Sequence, residues 1–233
     1  MDYPLGITMS KDKRQIGILG GSFDPVHMGH IGLAKETYEK FDLDQVLFVP
    51  AFQSPHKKNI PMTTIFHRMA MLRLALQNSA CFDISDMEVR RGGISYTIDT
   101  LNRLRLIYPS SELFLIIGYD NLLELDAWKD SLKIMKSYNI LVASRPGKNL
   151  ISSEEKVLGM FKGDSPYCSC ETQSRNLDFF HQETGTRLIV YDISPWNISS
   201  SIVREKLASE RPIDNLLPPE VETYIIEHQI YKP

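Results

Sequence analysis

Two rhythms alternate along the chain: short runs of consecutive apolar residues, and longer stretches in which apolar residues recur every three or four positions. Runs of the first kind occupy 15–19, 45–49, 81–85, 113–117, 140–143 and 187–191. They are too short for helices and are bounded by glycine, proline or polar residues, so they read as buried strands. Gly20-Gly21 stops the first, Pro50 the second and Gly118 the fourth. The second rhythm predicts helices. Residues 28–41 space Ile31, Ala34, Tyr38 and Phe41 along one face. Residues 64–77 do the same with Phe66, Met69, Leu72 and Leu76, behind a cap at Thr63 or Thr64. Residues 97–108 carry the stripe Ile98, Leu101, Leu104 and Ile107. Shorter helices are expected at 131–137, 199–207 and 219–228. Residues 1–14 are polar and irregular and read as a loose arm, and 145–186 show no clear period. Strands alternating with helices predict a parallel sheet covered on both faces. Ligands on such sheets bind at the carboxyl ends of the strands.

Composition narrows the partners. The chain has 233 residues, 42% hydrophobic and 24% charged, which suits a single α/β domain that needs no disulfides. A net charge of -3 gives no general attraction to nucleic acid or to an anionic membrane, so any basic site is a local pocket. No apolar run approaches the roughly 18 residues of a membrane helix. An odd cysteine count, Cys81, Cys168 and Cys170, without a leader pattern points to the reducing cytoplasm. Cys168-Ser169-Cys170 with His181 raises a zinc site. Zinc pairs are spaced by roughly two to four residues, and there is no second pair. The favoured reading is a polar loop with two free thiols. Oligomeric state is not legible, and a homo-oligomer stays open.

The chemistry concentrates where the first strand meets the first helix, at Gly20-Gly21-Ser22-Phe23-Asp24-Pro25-Val26-His27-Met28-Gly29-His30. Two glycines let the chain turn sharply and let a ligand approach the backbone. A helix start offers N–H groups and partial positive charge to phosphate oxygens. His27 and His30, three apart, share one side of the first turn, and Gly29 between them leaves room for a nucleotide. These parts suit phosphoryl or nucleotidyl transfer, which needs charge stabilisation and in-line positioning more than a covalent nucleophile. There is no Walker A sequence and no G-x-G-x-x-G. A lone histidine near a helix start is more often structural; two flanking a glycine directly after a strand favour function. A second cluster, Ser199-Ser200-Ser201 with Arg204 one turn on, can cap a helix and present hydroxyls and a guanidinium to phosphates. Alone, it reads more readily as a plain cap.

Taken together, the two clusters resemble the His-x-Gly-His and serine-rich signatures of the nucleotidyltransferase superfamily. Within it, residues 15–145 and 195–207 are similar to bacterial nicotinate-mononucleotide adenylyltransferases. Ser54-Pro55-His56-Lys57 resembles their Pro-His-Lys loop, 95–101 (Ser95 to Leu101) a segment beside the pyridine carboxylate, and Gly118-Tyr119-Asp120 their strand-end Gly-x-Asp. Trp128 falls where the family stacks a tryptophan on the nicotinate ring, Arg145 where it has a substrate-side arginine, and Arg68 matches a helix arginine of less clear role. The resemblance implies a Rossmann-like, doubly wound domain transferring AMP from ATP to nicotinate mononucleotide. It implies that His27 and His30 bind and neutralise the triphosphate while Arg204 holds the outgoing pyrophosphate. Gly20, Gly21, Ser22, Phe23, Gly29, Gly118, Asp120, Ser199, Ser200 and Ser201 would line ATP. His56 and Lys57 would orient the attacking phosphate, with Thr97, Trp128 and Arg145 on the substrate side. Mg2+ would bridge the phosphates, held by substrate and water, because the sequence has no acidic cage for a metal. Tyr119 departs from the pattern, being bulky where the family often has a small residue.

Two rival functions remain. Phosphopantetheine adenylyltransferases share both signatures, but the Pro-His-Lys loop, Tyr96-Thr97-Ile98-Asp99 and Trp128 argue against that acceptor. A non-catalytic nucleotide-binding regulator on the same scaffold is disfavoured by intact His27, His30 and Arg204. RNA recognition fits poorly with the net charge and the lack of a basic stripe.

Overall fold

Each apolar run becomes a strand of one sheet: β1 (Arg14–Gly21), β2 (Gln45–Pro50), β3 (Phe82–Ile84), β4 (Ser111–Gly118), β5 (Asn139–Ser144) and β8 (Arg187–Asp192). Two further strands, β6 (Tyr167–Cys170) and β7 (Leu177–His181), complete it in the order β3-β2-β1-β4-β5-β8-β7-β6. The structure, a computed structural model, describes residues 12–55, 61–144, 157–159, 167–170 and 176–232. The first six strands in that order run parallel, and the β7 and β6 edge is antiparallel.

Helices cover both faces. On one side α1 (Met28–Lys40), α2 (Ile65–Leu76), α7 (Ser200–Ala208) and α8 (Pro219–Glu227) pack through Ala34, Met71, Leu72, Val203, Val221 and Ile225. On the other, α4 (Thr97–Ile107), α5 (Tyr119–Leu123) and α6 (Ser131–Ser137) pack through Ile98, Leu101, Leu104, Leu122 and Ile134. Short α3 (Met87–Arg91) precedes α4. Strands covered on both faces are apolar throughout, which is why they read as runs rather than alternations. Among the described residues no helix is long and apolar enough to cross a membrane.

From β1 the chain winds outward through β2 and β3, then returns to β4 on the other side of β1. This reversal opens a crevice beyond the carboxyl ends of β1 and β4, the place where such sheets bind ligands.

Several expectations change. Gly20 and Gly21 are the last two residues of β1, paired with Val49 and Pro50, and the sharp turn falls instead on Phe23, at φ 46°. Phe66 is 71% exposed, because Arg68 takes the inward position in the first turn of α2. Ile107 is 52% exposed at the end of α4, whose buried positions are Ile98, Thr100, Leu101 and Leu104. Cys168 lies on a strand, not in a loop. It faces Phe180 on the exposed side of the hairpin, while Tyr167 and His181 form the neighbouring pair on the buried side, so Cys168 and His181 do not converge.

Candidate active site

The loop between β1 and α1 is fixed from beneath. The Phe23 ring is buried against Phe48, and the His30 ring meets it edge-on at 5.1 Å. Phe23 therefore supports His30 and offers a ligand only its backbone. His27 is the residue before α1, in extended conformation, and its N–H donates to His30 Nδ1 at 3.2 Å. An Nδ1 that accepts leaves a neutral imidazole with its proton on Nε2, so His30 is set as a donor. The two rings stack at 3.7 Å. His27 is only 6% exposed, and its Nδ1 has no hydrogen-bond partner. Burial lowers its pKa from the ordinary 6.5 to about 4. At neutral pH His27 is thus uncharged, and its contribution to an anion is a hydrogen bond rather than a charge.

The serine cluster docks on this same loop. Ser199 caps α7, its side chain accepting from Ile202 N–H at 3.2 Å. Ser200 Oγ donates to the Pro25 carbonyl at 2.9 Å, and Arg204 Nη1 to the Asp24 carbonyl at 2.6 Å. Arg204 Nη2 also reaches Ser201 Oγ at 3.2 Å. All three hydroxyls therefore have partners within the protein, and Ser201 is the exposed one, beside Arg204. None of these four residues is among those lining the two cavities described next.

Two cavities meet at the crevice. The smaller, about 190 Å³, is lined by His27, Gly29, His30, Gly118, Asp120 and Trp196, with apolar walls from Leu33, Ile193 and Ile198. The larger, about 490 Å³, holds Gly20, Gly21, Ser22, Glu88, Thr97 and Trp128. His30, Leu33 and Gly118 line both. Trp128 is half-buried, and Thr97 opens α4, with Tyr96 at the cap position. Lys129 ties the Trp128 segment to α4 through Asp99 at 3.1 Å and the Tyr96 ring at 4.6 Å. Tyr119 is buried beside Leu122 and Leu125 and also lines the smaller cavity, so its bulk helps to shape that cavity. His56, Lys57 and Arg145 lie outside the described residues.

The chain matches the cytidylyltransferase-like family over residues 18–206. It is 40% identical over 219 residues to the probable nicotinate-nucleotide adenylyltransferase of Geotalea daltonii, covering 93% of this chain and 98% of that one. It is 33% identical over 219 residues to the nicotinate-nucleotide adenylyltransferase of Bacillus subtilis, covering 94% and 99%. The chain belongs to the cytidylyltransferase-like family, in its nicotinate-nucleotide adenylyltransferase branch. The fold agrees: Plasmodium falciparum nicotinic acid mononucleotide adenylyltransferase complexed with NaAD superposes with a TM-score of 0.68 at 20% identity, over 94% of this chain and 97% of that one.

Of three residues that shape this adenylyltransferase site, Arg68 was named from the sequence without a clear role, and Glu88 and Trp196 were not named. Arg68, fully buried, donates to the carbonyls of Ser22 at 2.7 Å, Ala51 at 2.8 Å, Phe52 at 3.1 Å and Thr63 at 3.0 Å. It clamps the loops after β1 and β2 and touches neither cavity. Glu88 is buried at the larger cavity and accepts from the hydroxyls of Ser95 and Thr100. Burial raises its pKa, against those hydrogen bonds. Ser95 Oγ in turn accepts from Phe52 N–H at 3.0 Å, joining α4 to the β2 loop. The third, Trp196, sits on α1. Its signal was the pair Gly29 and Gly32, three apart on one helix face, where a flat side chain fits.

Proposed function

We propose that the chain transfers the AMP unit of ATP to nicotinate mononucleotide, giving deamido-NAD and pyrophosphate in cytoplasmic NAD biosynthesis. One observation carries the reading: the two cavities share the wall made by His30, Leu33 and Gly118. Two nucleotides seated in them would bring their phosphates together beside a fixed N–H donor. A phosphate oxygen of the mononucleotide attacks the α-phosphorus of ATP; the bond to the bridging oxygen breaks, and pyrophosphate leaves with the electron pair. His30 donates from Nε2 as charge grows on the leaving oxygen, a contribution largest in the transition state. His27 adds a neutral imidazole, and Arg204 supplies fixed positive charge at the loop.

In this reading Asp120 and Gly29 belong to the ATP side, and Thr97 and Trp128 hold the pyridine ring. His56, Lys57 and Arg145 keep the substrate-side roles that the resemblance implies. Mg2+ enters with ATP. The donor set fits an ion carried by the nucleotide: among the described residues no group of three or more His, Cys, Asp or Glu converges to hold one. When bound, it neutralises triphosphate charge that an uncharged His27 does not.

The test is pyrophosphate release with ATP and a panel of acceptors. Nicotinate mononucleotide is expected to be used best, ahead of its amide, which forfeits a charge-assisted contact. Release with phosphopantetheine alone would replace the reading. No release with any acceptor would leave a nucleotide-binding regulator.

A further inference from the structure

Past α8 the chain turns back on itself. Gln229 and Tyr231 take left-handed backbone conformations, at φ 52° and 66°, and Ile230 between them is anchored in the core. This fold-back carries the Tyr231 phenol to the loop between β1 and α1, where it donates to Asp24 Oδ1 at 2.6 Å. Thr63 N–H donates to Asp24 Oδ2 at 3.2 Å, and the Thr63 side chain bonds the phenol as well. Asp24 is only 3% exposed, so each oxygen of its carboxylate is met by a neutral donor in place of water. Burial, reinforced by Asp24 beside it, pushes the Tyr231 phenol above its ordinary pKa, so it stays a donor. Two guanidinium groups lie nearby. Arg68 is committed to its four backbone carbonyls. Arg204 is held more lightly, by the Asp24 carbonyl and Ser201 Oγ, and its charge reaches the Tyr231 phenol. It already bonds the backbone of the residue that carries the carboxylate. A charge-assisted, two-pronged pair with that carboxylate is the strong alternative open to it.

We infer that Tyr231 is a positioning residue for the transfer: by occupying Asp24 Oδ1 it keeps that carboxylate from capturing Arg204, and so holds the guanidinium open to the outgoing pyrophosphate. Tyr231 itself touches no substrate; it acts through Asp24 and Arg204. That role of Arg204 rests on the proposed adenylyl transfer.

Binding of inorganic pyrophosphate, read by calorimetry without ATP or acceptor, tests it. Tyr231→Phe keeps the ring and removes only the hydroxyl. It is expected to weaken pyrophosphate binding and to lower kcat, each roughly tenfold, the worth of one hydrogen bond to a charged group. KM for the mononucleotide should stay near its original value. In an Arg204→Ala background the same change is expected to cost nothing further. In an Asp24→Asn background, where no charge is left to capture the guanidinium, it should again have little effect. A folded Tyr231→Phe protein that binds pyrophosphate as wild type does overturns the inference. A full second loss in either background also overturns it, by marking Tyr231 as a packing residue. If Tyr231→Phe does not fold by itself, comparing Asp24→Asn with Asp24→Asn/Tyr231→Phe carries the test. Tyr231-dependent pyrophosphate binding in a protein that releases none with any acceptor would reject adenylyl transfer and retain the inference.

Discussion

Lowering the pH from 7 to 5 is expected to weaken the folded state through His27. Its imidazole is buried, its Nδ1 lacks a partner, and its pKa falls from 6.5 to about 4. A base whose pKa is depressed by folding is bound by fewer protons in the native state than in the unfolded one between those two values. Stability is therefore full above 6.5 and declines as pH falls toward 4, where the loss is complete. The whole interval corresponds to about 3 kcal/mol at 1.36 kcal/mol per pH unit, of which about 2 kcal/mol is drawn between pH 7 and pH 5. That is a large share of the total stability of a typical domain. The assay is urea unfolding at several pH values, comparing wild type with His27→Asn, which keeps a favourable residue type at the cap and removes the titration. Wild type should lose about 2 kcal/mol more than the variant over that range. Parallel curves would refute the argument. Because His27 lines the smaller cavity, an anion beside its ring favours the imidazolium, and proton uptake is expected when ATP binds near pH 5.5; calorimetry in buffers of different ionisation enthalpy reads it directly.

Three substitutions probe the rest of the site. His30→Ala should lower kcat by about 10²–10³-fold with a much smaller change in ATP affinity, and near-normal turnover in a folded protein would remove His30 from the mechanism. Trp128→Ala should weaken mononucleotide use by about 1–3 kcal/mol while ATP binding is kept; normal kinetics with a lowered melting temperature would make it a packing residue only. Arg68→Met leaves four backbone carbonyls without their donor and should cost about 3–5 kcal/mol in urea unfolding. A loss below about 1 kcal/mol would show that water replaces the guanidinium.

What was legible in the sequence was whatever depends on local pattern. Parallel strands buried on both faces announce themselves, as at 113–117 and 140–143, and a cap before a periodic stretch locates a helix, as Ser199 does for α7. The loop after β1 stood out because a double glycine, two histidines and a serine cluster each carry recognisable chemistry. Contacts between distant segments were not. Ser200 and Arg204 bind Pro25 and Asp24 across the fold, and no periodicity announces that pairing. Arg68 could be named but not given a role, because its partners are carbonyls, which have no sequence signature. The β6–β7 hairpin was missed because its strands are short and mix polar with apolar positions, Cys168 and Asp178 among them.

The arrangement around Arg68 also governs how the cleft breathes. Carbonyls from Ser22, Ala51 and Phe52 belong to two separate loops, yet all hang from one desolvated guanidinium. If one loop lifted alone, that cation would keep its burial and lose part of its solvation, so partial opening is disfavoured relative to both the closed state and full release. Fluctuations that admit water to the cleft floor are thus concerted. Amide exchange at the ends of β1 and β2 should share one opening free energy, and a ligand that steadies either loop should slow exchange in both.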